Sequence, residues 1–285
     1  MIISASRRTD IPNYYSDWFY NRIKEGFVYV RNPMNIHQIS KIALTPDVVD
    51  GIVFWTKNPF PMLDRLDELS EYIYYFQFTL NSYGKDVEPN VPSKSEIVIP
   101  TFQKLSQKIG KEKVVWRYDP ILINENYTIE YHLKYFKMLV DKLAGYTEKC
   151  TVSFLDLYKN TQQNTASLKI INPSFQQKEE LMQQFSETAQ TAGIFIDTCA
   201  EDIDLSKFNI QHAHCIDQER FERLGDYKLI VEKDKNQRLE CGCIASIDIG
   251  AYNTCKNGCL YCYANFSQNT VAKNYFLHDP HSPLL

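Results

Sequence analysis

The chain begins with the stretch Ile2-Ile3-Ser4-Ala5-Ser6-Arg7-Arg8-Thr9-Asp10, in which a short apolar run passes directly into charged and hydroxylated residues. Isoleucine favours strands, and a polar cluster after such a run indicates where the strand ends. Helical periodicity follows over about residues 14–25. The stretch therefore predicts a strand, a polar turn and a helix, which is the repeating unit of a parallel α/β sheet.

The same unit recurs through the first two-thirds of the chain. Strand-like runs occupy residues 2–6, 27–30, 51–55, 73–80, 113–117, 150–155 and 194–198, and helical stretches occupy residues 14–25, 61–70, 93–109, 128–143 and 175–192. Thr45 before Pro46, and Ser93 three residues before Glu96, are further signals of helix starts. This alternation predicts an α/β fold of the (β/α) TIM-like barrel type, and we expect residues 1–285 to form one domain.

Polar side chains follow most of these strands at the same end. In (β/α) barrels the carboxyl ends of the strands carry the active site, and cationic, amide and acidic groups there suit a polar small-molecule substrate. Each cluster could instead be a turn signal, and Arg117 and Asp119 could simply form an ion pair. The candidate catalytic residues are Arg7, Asp10, Lys57, Arg117, Asp119 and Glu201.

Composition narrows the class of protein. The formal net charge of −4 over 285 residues offers no general attraction for nucleic acids or anionic membranes. No stretch approaches the roughly 20 apolar residues of a membrane span, and the N-terminus lacks a signal peptide's apolar run. We therefore expect a cytoplasmic protein, in which eight cysteines indicate metal or redox chemistry rather than disulfides.

Three cysteines are concentrated near the C-terminus, in the run Cys255-Lys-Asn-Gly-Cys259-Leu-Tyr-Cys262. Thiolates so close in sequence suit a soft-metal centre, and iron–sulfur clusters commonly occupy such runs. Three thiolates would leave one iron of a four-iron cluster open, as in catalytic metal sites. The alternative is a zinc site completed by another cysteine or histidine.

This segment resembles the cluster-binding loop of radical S-adenosylmethionine enzymes, in which a barrel strand runs into Cys-x3-Cys-x2-Cys with an aromatic residue before the last cysteine. The whole chain also resembles an uncharacterised bacterial family, a domain of unknown function with a radical-enzyme-like cysteine cluster at its C-terminus. The stretches that carry this second resemblance are residues 6–10, 54–59, 116–120, 153–156, 198–201, 215–217 and 241–243.

The resemblance implies that Cys255, Cys259 and Cys262 hold a 4Fe-4S cluster whose fourth iron binds S-adenosylmethionine. Reductive cleavage would then give a 5′-deoxyadenosyl radical that abstracts a substrate hydrogen, with an electron from a reductant such as flavodoxin or ferredoxin. The resemblance also places Tyr261 beside the adenine of the cofactor.

The chain departs from the radical enzymes in two respects. The cysteine motif comes last instead of first, and the Gly-Gly-Glu-like stretch that holds the methionine amine is missing. A circularly permuted barrel would explain the first, with the cysteine strand beside residues 2–6. Arg7, Thr9 or Asp10 could then contact the cofactor in place of the missing stretch.

Four further cysteines, with the first three, give a cysteine-rich region over residues 199–266. Cys241 and Cys243 are too close in sequence for an ordinary disulfide but could be two ligands of one metal. With Cys199 and Cys215 they could hold a second iron–sulfur cluster or a zinc ion, or Cys199 and Cys215 could be inert buried thiols.

Two other function classes compete with a radical enzyme. One is an iron–sulfur or zinc protein without radical chemistry, serving electron transfer or binding. The other is nucleic-acid repair, which the acidic charge and the lack of a basic stripe disfavour. The sequence does not identify the substrate.

Overall fold

The computed structural model of the chain describes residues 1–238 and 240–285, with the backbone alone for residues 159 and 160. The described residues form ten strands: β1 (Ile2–Ala5), β2 (Phe27–Asn32), β3 (Asn35–Ala43), β4 (Gly51–Thr56), β5 (Tyr74–Thr79), β6 (Val114–Ile121), β7 (Lys149–Phe154), β8 (Phe195–Thr198), β9 (Gln211–His212) and β10 (Ile247–Asp248). Eight of them form one sheet in the order β10-β1-β4-β5-β6-β7-β8-β9.

Every neighbouring pair in this sheet is parallel, which confirms the α/β class. Within the described residues, 1–238 and 240–285, β10 and β9 are the two edge strands of this sheet. Both edge strands are only two residues long. The closed TIM-like barrel therefore stays a prediction.

Helices connect and cover these strands. They are α1 (Ile11–Tyr14), α2 (Ser16–Glu25), α3 (Ile99–Ile109), α4 (Ile129–Leu143), α5 (Lys159–Asn164), α6 (Phe175–Gln190), α7 (Gln218–Gly225) and α8 (Gln268–Phe276). The predicted stretch at 61–70 is a 3₁₀-helix, Phe60–Leu69, and a π-helical turn, Lys94–Val98, precedes α3. None of the described helices is long and apolar enough to cross a membrane.

Two local predictions are wrong. The run at 27–30 is a strand, but β2 pairs antiparallel with β3 in a separate two-stranded sheet. Strand periodicity indicates that a segment is a strand, but it does not indicate which other strand pairs with it. Thr45 begins a turn, in which its carbonyl accepts the N–H of Val48, and no helix follows.

The C-terminal strand returns to the N-terminal one, as the permuted arrangement predicts. β10 pairs in parallel with β1, with Ile3 opposite Ile247 and Ser4 opposite Asp248. Because all strands of the sheet run the same way, the cysteine loop after β10 leaves from the same edge as the polar segments after β1 and β4.

The two faces of the sheet pack against different partners. One face, with Phe54, Phe76 and Trp116, belongs to the main apolar core. The opposite face, with Val53, Tyr75 and Val115, packs in a second core with Phe221 of α7 and with Cys215, Cys241 and Cys243. Alternation along the strands thus places these thiols on the face opposite the main core.

Candidate functional site

The cysteine loop is fixed to β1 by one carboxylate. Asp248, on β10, accepts hydrogen bonds from Ser6 Oγ at 2.6 Å and from the backbone N–H of Arg7 at 2.8 Å. It also accepts from Ser4 Oγ at 3.1 Å and from the N–H of Gly250 at 3.0 Å. Both oxygens are therefore satisfied by the two strands that they join, which sets the direction of the chain toward Cys255.

Residues 84–91, in the segment after β5, hold the cysteine loop through hydrogen bonds. The N–H of Leu260 donates to the carbonyl of Val87 at 3.0 Å, and Asn90 Nδ2 donates to the carbonyl of Lys256 at 2.8 Å. Gly258 has φ +68°, and a Cβ there would lie 3.0 Å from Asn90 Nδ2. The left-handed backbone favours glycine at this position, and a larger residue would also require Asn90 to shift by a few tenths of an ångström.

The three thiols of the loop are close enough to affect one another's ionisation. Burial raises the pKa of Cys255, and the charges of Asp10, Cys262 and Cys259 add to that effect. Burial likewise raises the pKa of Cys259 to about 12, although Lys57 opposes it. Unless a metal binds them, these thiols therefore stay protonated at neutral pH.

Asp10 connects the loop to the ends of β1 and β4. It is 4% exposed and accepts from Thr56 Oγ1 at 2.7 Å, from Lys57 N at 2.9 Å and from Asn257 Nδ2 at 2.9 Å. Asn13 N completes the set at 3.1 Å, where Asp10 caps α1. Burial raises the pKa of Asp10 in spite of these bonds. Its oxygens are engaged by protein donors, which favours a structural role over direct cofactor contact.

An ion cluster lies beside Cys259, the second cysteine of the motif. Glu88, 2% exposed, pairs with Lys57 at 2.8 Å and with Lys94 at 2.6 Å, and it accepts the hydroxyl of Tyr261. The ammonium of Lys57 lies 5.3 Å from the centre of the Tyr261 ring. Burial would raise the pKa of Glu88, but the two lysines outweigh it and lower the pKa to about 2.

Glu88 and Asp248 were not among the sequence candidates. Glu88 lies between strands, in a segment without periodicity, and no motif marks it. Asp248 lies within an apolar run whose partner strand is 244 residues away in sequence at Ser4. Only the pairing of β10 with β1 identifies it.

Several buried polar atoms at this edge have no hydrogen-bond partner. They are Arg7 Nη2 and Thr9 Oγ1 after β1, Asn58 Oδ1 after β4 and Asn265 Oδ1 after the cysteine motif. Orphaned buried polar atoms are rare in folded proteins and commonly indicate a missing ligand or water.

Two arginines and a tryptophan lie on the opposite face from the main core. The guanidinium carbons of Arg7 and Arg117 lie 5.4 and 5.2 Å from the centre of the Trp55 ring. Arg117 also pairs with Asp119, which confirms the predicted ion pair. Arg117 Nη1 donates to Cys215 Sγ at 3.0 Å, so this group extends from the strand ends to the second set of cysteines.

The other four predicted metal-binding cysteines lie next to one another in space. We call them the second thiol set: Cys199, Cys215, Cys241 and Cys243. Cys199 and Cys215 have their Sγ atoms 3.5 Å apart. Hydrogen bonds with Cys199 and Cys243 lower the pKa of Cys215 well below its usual value, and Arg117 adds to the effect. A hydrogen bond with Cys243 lowers the pKa of Cys241 to about 6. Free Cys150 is buried in β7, in the main core.

Glu201 stands apart from the other candidates in its contacts. It follows β8, accepts the N–H of Phe154 at 2.7 Å and faces Lys178 at 3.9 Å. Burial raises its pKa. Its described partners belong to β7 and α6 rather than to the cysteine loop.

Across residues 1–238 and 240–285, no group of three or more histidine, cysteine, aspartate or glutamate side chains is arranged to hold a metal ion. A four-iron cluster, however, spreads its thiolates over separate corners, more widely than the ligands of one ion. The donor set suits such a group, because one loop carries three soft ligands and neighbouring segments carry buried polar atoms without partners.

A cleft of about 610 Å³ opens between α3 and α4. Glu88 and Lys94 line its inner end, and Ile99, Gln103 and Leu139 line its walls. It reaches the ion cluster beside Tyr261 from outside the sheet.

The family model described as Domain of unknown function (DUF1848) matches residues 2–264. The comparison with curated proteins found no match.

Proposed function

The chain belongs to the DUF1848 family of domains of unknown function, and we propose that it is an iron–sulfur enzyme of the radical S-adenosylmethionine type. Cys255, Cys259 and Cys262 would hold the cluster. The substrate would be a polar small molecule bound near Arg7, Lys57 and Arg117, and the electron would come from a flavodoxin or ferredoxin.

One observation carries this proposal: the three-thiol loop follows the strand beside β1, next to buried polar atoms without partners. Cys-x3-Cys-x2-Cys leaves an open position on a four-iron cluster, and an amino acid cofactor needs polar partners there. Arg7 Nη2, Thr9 Oγ1 and Asn58 Oδ1 are available for that role. The sheet order also supports a permuted, partial barrel, with the cysteine strand placed before β1.

When bound, the cluster and S-adenosylmethionine would supply one-electron chemistry that removes a hydrogen atom from the substrate. The protein's own residues would orient and shield these groups. Lys57, near Cys259, would balance the negative charge of the thiolates. Glu88 fixes both Lys57 and the hydroxyl of Tyr261, so the aromatic ring is held in one orientation.

The test is reconstitution of the chain with iron and sulfide under anoxia, followed by reduction with dithionite in the presence of S-adenosylmethionine. We expect a brown protein with about four irons at the C-terminal motif and release of 5′-deoxyadenosine. The Cys255→Ala, Cys259→Ala and Cys262→Ala variants should each lose both.

A matched control is Cys150→Ala, which removes a thiol outside both sets. A colourless protein that binds zinc through Cys255 and releases no 5′-deoxyadenosine would overturn the proposal. A brown protein that releases none would instead indicate an electron carrier.

A further inference from the structure

The second thiol set contains one close pair at the ends of neighbouring strands. Thr198 of β8 pairs with His212 of β9, so Cys199 and Cys215 leave the sheet side by side. Their Sγ atoms are 3.5 Å apart. A disulfide has its sulfurs about 2.05 Å apart, so an approach of roughly 1.5 Å would join them.

Both residues are held at their backbones while their sulfurs stay adjacent. The N–H of Cys199 donates to the carbonyl of Val152 at 2.8 Å. The carbonyl of Cys215 accepts from Tyr75 Oη at 2.8 Å and from Gln77 Nε2 at 2.7 Å. The pair is therefore set by the sheet itself and by side chains of β5.

The surroundings distinguish the two thiols. Arg117 Nη1 donates to Cys215 Sγ at 3.0 Å, and a guanidinium at this distance stabilises a thiolate. Cys215 is 2% exposed, whereas Cys199 is only partly buried. Cys243 also interacts with Cys215, and its Sγ accepts the N–H of Ile216 at 3.3 Å, so it is the competing partner for Cys215.

We propose that Cys199 and Cys215 form a reversible redox pair, with Cys215 as the nucleophile and Cys199 as the resolving thiol. The oxidant class is a peroxide. The Cys215 thiolate attacks one peroxide oxygen, the O–O bond breaks, and protonation of the leaving oxygen gives water and a sulfenic acid. Cys199 then attacks that sulfur and forms the disulfide as a second water leaves.

The balance is two thiols and one hydrogen peroxide giving one disulfide and two waters, so two electrons pass from sulfur to oxygen. A dithiol reductant reverses the step by exchange. This inference does not depend on the proposed function, because Cys255, Cys259 and Cys262 take no part in it.

The experiment treats the anaerobically purified full-length chain with hydrogen peroxide, alkylates the remaining thiols under denaturing conditions and maps the peptides by mass spectrometry. We expect a Cys199–Cys215 linked peptide that dithiothreitol removes, with Cys150 still alkylated. In Cys199→Ser, dimedone should capture a sulfenic acid at Cys215. In Arg117→Met, oxidation of Cys215 should slow by about tenfold or more.

Two controls separate this inference from the others. Cys150→Ala should leave the linked peptide unchanged, and Cys255→Ala should form it even if the proposed cluster is lost. Predominant Cys215–Cys243 linkage would overturn the assignment. A metal that is bound in stoichiometric amount, lost in Cys215→Ala and kept in Cys255→Ala would also overturn it, because Cys215 would then be a metal ligand.

Discussion

The backbone N–H of Arg7 donates to Asp248 Oδ2 at 2.8 Å, which joins positions 241 residues apart in sequence. The bond fixes the first strand of the chain to the strand that leads into the cysteine motif. The two candidate regions of the sequence, the polar cluster after β1 and the C-terminal thiols, therefore lie at the same end of the sheet.

Asp248→Ala should destabilise the protein by about 2–4 kcal/mol, because four donors on β1 and just after β1 and β10 lose their acceptor. Urea denaturation followed by circular dichroism measures the change. Asp64→Ala, at an exposed position, is the control and should stay within about 0.5 kcal/mol. Equal effects for the two variants would mean that the β1–β10 connection contributes little.

Asp10→Ala should lower stability by about 2–4 kcal/mol, since the donors from Thr56, Lys57 and Asn257 become unpaired in a buried site. Asp10→Asn should cost less, because its remaining oxygen still accepts. We expect S-adenosylmethionine affinity in the folded Asn variant to stay close to that of the unaltered protein. A loss of affinity without a loss of stability would show direct contact between Asp10 and the cofactor.

Glu88 should make stability depend on acid pH. Its pKa in the folded protein is lowered to about 2, below the usual value of 4.5, so its stabilising effect is present above pH 4.5. That effect is lost as the pH falls from about 5 toward 2, and it amounts to roughly 3 kcal/mol. Denaturation curves at several pH values test this: Glu88→Gln should flatten the acid dependence, and exposed Glu71→Gln should not.

The parts of the fold that could be predicted are those with strong local patterns. β4, β5, β7 and β8 lie within one residue of their predicted bounds, and β6 begins one residue after its predicted start but continues four residues past its predicted end. The edge strands β9 and β10 have two residues each, too few for a period to be recognised. Phe27–Asn32 was recognised as a strand but assigned to the wrong sheet, since pairing depends on distant residues.

The residues of the candidate site likewise divide into those that a local pattern identifies and those that only the folded structure brings together. The thiols of Cys255, Cys259 and Cys262 were found because their spacing is local. Glu88 could not be found, because its importance comes from Lys57, Lys94 and Tyr261 meeting around it in space. The contact of Arg117 with Cys215 was equally hidden, since each residue alone had an ordinary structural explanation.

Gly258→Ala should disturb the cysteine loop more than a glycine replacement elsewhere. Gly258 has φ +68°, and its new methyl group would lie 3.0 Å from Asn90 Nδ2 and 3.2 Å from Pro89 Cγ. Gly145 also has positive φ, at +81°, but a Cβ there meets nothing within 4 Å, so Gly145→Ala measures the backbone strain alone.

Strain should cost each variant about 1–2 kcal/mol. Only Gly258→Ala should also reduce iron retention after anaerobic reconstitution, because its crowding falls between Cys255 and Cys259. Equal iron content in the two variants would mean that the loop can shift without affecting its thiols.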